Sequence, residues 1–203
     1  MQGSIQHNNV QTVPNALHIY WVFKNVVSED ICKRIINLGK NKWEKGKVQD
    51  TLLDKGELDL RSRKTDVAWS NDDWLYNICW DYLHVANRNA NWNFEIGACE
   101  PMQITRYKKT GHYDFHQDGN GFTRANMPEN PLLHGLTRKL SMTIVLNEDY
   151  EGGEFQFFDD KLPIKEKTGT VIVFPSYMVH KVQPVTKGTR YSLVAWFCGQ
   201  PFA

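Results

Sequence analysis

Between Gly111 and Asn120 the chain reads Gly-His-Tyr-Asp-Phe-His-Gln-Asp-Gly-Asn, which sets His112, Asp114, His116 and Asp118 at every second position. Imidazole and carboxylate are ligands for first-row divalent metals. In an extended strand alternate side chains share a face and each residue rises about 3.3 Å, so all four point the same way. They cannot all hold one ion. His112 and His116 start roughly 13 Å apart, whereas a histidine and an aspartate two residues apart start about 7 Å apart and can converge. Two candidate pairs result, His112 with Asp114 and His116 with Asp118, and either needs a third ligand. His180, which follows the apolar run Val171-Ile172-Val173-Phe174, is the candidate. Two histidines and one carboxylate on one face of an ion leave three adjacent positions open, enough for a chelating 2-oxo acid and dioxygen. A cation must then meet the far carboxylate of such an acid. Arg190 is the candidate: alternation along 190–198 puts Arg190, Ser192, Val194 and Trp196 on one face, and a buried guanidinium requires an anionic partner.

The elements that must position these groups divide the chain in two. In the first part, 17–27 reads as a short apolar strand. Ser28 reads as an N-cap, followed by Glu29 and Asp30 in the first turn. Ile31, Ile35 and Leu38 form the stripe of an amphipathic helix, widened by Cys32 and Ile36 and closed by Gly39. Residues 40–65 are charged and irregular and read as a solvated surface loop. A second helix is predicted over 71–87, with Trp74, Ile78, Tyr82 and Val85 as its stripe and the Asn-rich run 87–93 as its end. From Phe94 the period becomes two. Strands are predicted at 94–107, 113–118, 140–147, 154–158, 170–174, 179–182 and 190–198. The polar stretch 119–137 is long for an idle connection and is a candidate lid. Gly152-Gly153 and Gly188 supply tight turns. Helices first and short strands after predict an α+β, mainly β chain, with N-terminal helices packed on one face of a strand sandwich or barrel.

Composition narrows the partners. At 203 residues one domain over 1–203 is expected, with helical support over about 17–93 and a β core over about 94–200. The 41% hydrophobic and 12% aromatic content argues against a disordered chain, and 24 basic against 23 acidic residues leaves no electrostatic footprint for nucleic acid. The start lacks a basic region followed by an apolar core, and no run of about 18 apolar residues occurs, so neither export nor a membrane partner is expected. Cys32, Cys79, Cys99 and Cys198 are scattered without a C-x-x-C pair, which fits reduced thiols in a cytoplasmic protein.

Residues 103–118, Gln-Ile-Thr-Arg-Tyr-Lys-Lys-Thr-Gly-His-Tyr-Asp-Phe-His-Gln-Asp, resemble the Q-x3-Y-x3-G-x-Y/F-x2-H-x-D signature of the prolyl 4-hydroxylase-like 2-oxoglutarate- and Fe(II)-dependent dioxygenases. Later stretches agree in order: 138–147, the Tyr150-Glu151-Gly152-Gly153-Glu154 turn, 169–180, and 184–190 followed by Trp196. The resemblance implies a double-stranded β-helix (a cupin-like jelly roll) and selects between the two pairs. His116, Asp118 and His180 match the metal ligands and catalytic centre, Arg190 the basic residue that binds the 2-oxoglutarate C5 carboxylate, and Tyr107 a tyrosine near the cosubstrate. Some relatives carry a tyrosine where this chain has Val145, and Thr143 on the same face is the substitute. The implied cofactors are Fe(II), 2-oxoglutarate and O2, with ascorbate as reductant. The implied reaction is hydroxylation of an unactivated C–H, coupled to oxidative decarboxylation of 2-oxoglutarate to succinate and CO2, with peptidyl proline as the substrate by analogy. Retention of Asp118 disfavours halogenation, and Trp196, where nucleic-acid demethylases carry a second arginine, disfavours that branch. A small-molecule hydroxylase and a non-catalytic jelly-roll binding module are the alternatives.

Overall fold

Along the strand Val171–Pro175, Val171 and Val173 face one hydrophobic cluster while Ile172 and Phe174 face another. That division runs through the whole molecule. In the computed structural model, which describes residues 18–50, 55–57, 59–158 and 163–203, an eight-stranded sheet carries both clusters. Its order is Trp21–Phe23, Val171–Pro175, Thr137–Val145, Arg190–Gly199, Met102–Tyr107, Asp66–Ser70 and Glu44–Lys45, with Ala98–Cys99 also paired to Arg190–Gly199. Every pairing recorded in it is antiparallel. Four further strands, Phe155–Phe157, His180–Val182, His112–His116 and Arg63–Lys64, form a second sheet. Phe155, Phe157 and Val182 from it join Tyr107, Ile172 and Phe174 of the first sheet in one cluster. The arrangement is that of a jelly roll, as expected.

The outer face of the large sheet carries the helices. Met102, Ile104, Leu140, Met142, Ile144, Leu193, Ala195 and Phe197 share a cluster with Cys32 and Ile35 of the helix Glu29–Leu38 and with Leu75, Cys79, Leu83 and Ala86 of the helix Asp73–Asn89. The first helix is as predicted, with the Ser28 hydroxyl accepting from the Ile31 N–H at 3.4 Å. The second starts and ends two residues later than predicted, and its buried face is rotated. Leu75, Cys79, Tyr82, Leu83 and Ala86 point inward, while Trp74 sits at the margin with the Arg34 guanidinium 4.0 Å from its ring centroid. Bulky amphipathic rings favour such margins, where one face stays wet.

Residues 40–65 require a correction. They are not an irregular loop but contain the strands Glu44–Lys45, Val48–Asp50, Lys55–Glu57 and Arg63–Lys64, and a further strand, Asp66–Ser70, follows before the second helix. Charged edge strands lack the apolar alternation by which strands are read, since neighbouring chain satisfies their backbone. Two other boundaries shift: the 94–107 strand breaks into Ala98–Cys99 and Met102–Tyr107, and the N-terminal strand shortens to Trp21–Phe23. Leu17 and His7 lie outside the described residues. The four cysteines are free. No described helix is long and apolar enough to cross a membrane.

Ile144 is fully buried on the helix-facing side of the central strand Thr137–Val145. Ile144→Ala is expected to lower unfolding free energy by about 2–5 kcal/mol, measured by urea denaturation.

Candidate active site

Register between two strands of the smaller sheet builds the site. His180 is the Cα partner of His116, which sets the two imidazoles with centroids 4.3 Å apart. Asp118 lies just past the end of His112–His116, where its N–H and that of Gly119 donate to the Ser176 carbonyl at 3.0 and 3.1 Å. That turn brings its carboxylate back between the rings. Asp118 Oδ1 is 3.7 Å from His116 Nε2, and Oδ2 is 3.7 Å from His180 Nε2. The ligating atoms of the three residues all lie within 4.8 Å of one another.

This cluster fits a divalent metal ion. His116 Nδ1 lies 2.7 Å from the Asp114 carbonyl and His180 Nδ1 2.8 Å from the Met178 carbonyl, and a carbonyl can only accept. Each ring therefore carries its proton on Nδ1 and presents the Nε2 lone pair to the cluster. Burial, reinforced by the neighbouring His180, pushes the His116 pKa down to about 3, which keeps the ring neutral. Burial disfavours charge on Asp118, and the Arg138 guanidinium and the Ser141 hydroxyl work the other way. Asp118 Oδ2 is buried without a hydrogen-bond partner. Such an atom is expensive unless something cationic meets it. The Tyr113 ring stacks on His116 at 3.5 Å and 14°, with the Arg63 guanidinium 4.5 Å from the Tyr113 centroid.

The other candidate pair is turned elsewhere. His112 lies with its ring nitrogens 3.0 and 2.8 Å from the carbonyls of Thr110 and Arg61, and Asp114 Oδ1 accepts from the Phe115 N–H.

The cluster opens on a cavity of about 390 Å³ whose lining includes Arg190, Tyr107, Thr143, Ser192, Val194 and Trp196. The alternation predicted for 190–198 holds, with Leu193, Ala195 and Phe197 on the helix side. Arg190 is 2% exposed, is the Cα partner of Tyr107, and has its guanidinium 5.4 Å from that ring's centroid. Its Nη1 donates to Ser192 Oγ at 2.8 Å, and Ser192 Oγ lies 2.7 Å from Thr105 Oγ1. Nε has no partner, and no described carboxylate pairs with Arg190. A fully buried, uncompensated guanidinium beside a cavity is a receptor for a carboxylate. Gly153, at φ 68°, lies against its stem: an added Cβ would sit 3.1 Å from Arg190 Cδ.

Several lining groups escape a reading of the sequence. Arg138 bonds Glu100 through Nε and Nη2 at 2.6 Å each, donates from Nη1 to the Asp118 carbonyl at 3.1 Å, and lies 4.0 Å from the Trp196 ring centroid. Strict alternation would place it on the helix face with Leu140 and Met142. A register shift between Arg138 and Leu140 turns it into the cavity instead. Arg63 donates to the Lys47 carbonyl at 2.9 Å and to Gln103 Oε1 at 2.6 Å. The alternation Arg63, Thr65, Val67, Trp69 is a legible signal, and three of those four line the cavity. His134 and Arg124 are held within their own loop, by the Met127 N–H and the Gly135 carbonyl, and Lys187 pairs with Glu151 at the surface. His18 and His84 pack on Trp21 and Trp80.

Fold and site together define a jelly roll with a two-histidine, one-carboxylate cluster at the mouth of a cation-bearing cavity. Residues 102–198 match the family model of the 2OG-Fe(II) oxygenase superfamily. A PKHD-type hydroxylase of Picosynechococcus sp. is 40% identical over 86 residues, 40% of this chain and 39% of that protein. The chain thus spans well under two thirds of that relative. Among solved structures, the viral collagen prolyl hydroxylase of Paramecium bursaria Chlorella virus-1, in its 2-oxoglutarate complex, has a TM-score of 0.64 at 20% identity, covering 90% of this chain and 97% of its own. A Trichoplax adhaerens prolyl hydroxylase bound to a hypoxia inducible factor peptide fragment has a TM-score of 0.67 at 16% identity, covering 88% and 83%. At these identities the likeness is one of fold.

Ser192→Ala removes the only described hydrogen-bond acceptor of buried Arg190. Loss of about 1–3 kcal/mol is expected in chemical denaturation.

Proposed function

We propose that this chain is a 2-oxoglutarate- and Fe(II)-dependent dioxygenase that hydroxylates an unactivated C–H, with peptidyl proline as its substrate. One observation carries the reading: the partnerless Asp118 carboxylate oxygen and the uncompensated Arg190 guanidinium open on the same cavity. His116, Asp118 and His180 hold Fe(II), which when bound supplies the oxygen activation that couples decarboxylation of 2-oxoglutarate to hydroxylation.

The chain's own groups do the rest. Arg190 binds the distal carboxylate of 2-oxoglutarate, held in place by Ser192 and Thr105, and Tyr107 and Thr143 offer hydroxyls on the same wall. Phe155, Phe174 and Val182 make the wall near the histidines apolar and limit water there. Arg138, tied to Glu100, fixes the backbone of Asp118. The hydroxylase relative supports hydroxylation, and the prolyl hydroxylase neighbours support proline as the target. Shared walls between the two hydrophobic clusters support one domain, and four free cysteines support a reducing, cytoplasmic setting.

Protein supplied with Fe(II), ascorbate and 2-oxoglutarate is expected to release succinate slowly alone and faster with proline-containing peptides, followed by NMR. Failure both to bind 2-oxoglutarate and to release succinate overturns the proposal. Metal binding can be read independently of turnover through Co(II) absorption. His116→Ala and Asp118→Ala should abolish it, and His112→Ala should leave it unchanged. Arg190→Ala is expected to weaken 2-oxoglutarate about 10- to 150-fold, the loss of a charge-assisted pair.

A further inference from the structure

A second recess lies beside the cavity, lined by Lys45, Lys64, Arg106, Lys108 and Lys109, with Asp66 as the one carboxylate among its described lining residues. Five cations meet there in a chain whose formal charge is only +1. They come from three strands and a turn: Arg106, Lys108 and Lys109 are close in sequence, and folding brings Lys45 and Lys64 to them. Asp66 is their organiser. Its oxygens lie 2.7 Å from Lys45 Nζ, 2.9 Å from Arg106 Nη2 and 3.6 Å from Lys108 Nζ. Arg106 is further fixed with its guanidinium 4.3 Å from the Trp43 centroid.

One carboxylate cannot neutralise this set. Lys64 donates to the Thr110 hydroxyl, at 2.5 Å, and among the described residues neither Lys64 nor Lys109 has an acidic partner. Like charges held together repel, and an anion that enters relieves them. Lys45 also lines the catalytic cavity, so the recess and that cavity adjoin.

We infer that this recess is a docking site for acidic side chains of the peptide substrate, flanking the residue that enters the cavity. The inference rests on the dioxygenase reading for the word substrate, and on the recess alone for acidic recognition. A peptide suits it better than nucleic acid. The recess is small, about 70 Å³, and gathers its cations around one point rather than along a track, and no aromatic ring stands among its described lining residues to stack a base.

The test uses two short fluorescein-labelled peptides with a central proline, one flanked by glutamates and one by glutamines, with 2-oxoglutarate saturating. By fluorescence anisotropy at low ionic strength the glutamate peptide is expected to bind roughly tenfold more tightly, a difference that shrinks with added salt. Lys64→Glu with Lys109→Glu should erase that preference, and Lys64→Gln with Lys109→Gln should reduce it, a check against misfolding by charge reversal. Both double variants should leave peptide-free succinate release unchanged. Equal binding of the two peptides overturns the inference, as does a preference that survives both double variants. So does an oligothymidylate of matched charge that displaces the glutamate peptide at lower concentration. A glutamate preference erased by these variants in a protein that neither binds 2-oxoglutarate nor releases succinate would uphold the recess and sink the dioxygenase reading instead.

Discussion

The structure depends on the pairing of His180 with His116 across two antiparallel strands. Side chains alternate faces along a strand, so a slip of one residue would turn either imidazole out of the cluster. Several contacts hold the register. Both Nδ1 atoms are tied to carbonyls two residues back in their own chain, and the Ser176 carbonyl takes two N–H groups at the turn that returns Asp118. The bonding capacity left over, two Nε2 lone pairs and a buried carboxylate oxygen, is thereby aimed at one point.

The large sheet serves as a wall with two chemistries. Along Met102–Tyr107, Thr137–Val145 and Arg190–Gly199, one set of alternate residues is apolar and packs on the helices, while the other set carries polar groups, of which Gln103, Thr105, Thr143, Arg190 and Ser192 line the cavity. The helices pack against the back of this wall, although neither helix contributes a residue to the cavity lining. Burying Gln103, Thr105, Ser192 and Arg190 would be costly if each stood alone. Here Arg190 leans on Ser192, Ser192 on Thr105, and Gln103 on Arg63, so the polar layer satisfies much of itself and leaves one guanidinium edge for a ligand.

Charge follows a different rule from packing. The chain's near balance of acids and bases says nothing about where they go, and folding separates them. Glu100 is paired with Arg138, Glu44 accepts from the Trp69 indole, and lysines from three separate segments gather about Asp66. An expectation drawn from net charge averages over such separation.

How much the sequence determined by itself can be traced residue by residue. The H-x-D spacing, the distal His180 and the alternation from Arg190 to Trp196 are local patterns with fixed geometric consequences, and they narrow the cluster to two candidate pairs and mark the cation. Spacing alone could not choose between His112 with Asp114 and His116 with Asp118, because alternation treats all four alike. Resemblance to a family made that choice, and the pairing with His180 supplies its physical basis. Tertiary structure alone decided the rest. The charged strands within 40–65 have little apolar period, and their backbone pairs with neighbouring chain. Arg138 enters the cavity through a register shift, and the recess around Asp66 draws on residues far apart in the chain. Local periodicity reports which face a side chain takes within its own element, whereas shifts between strands and gatherings of charge arise only when elements meet.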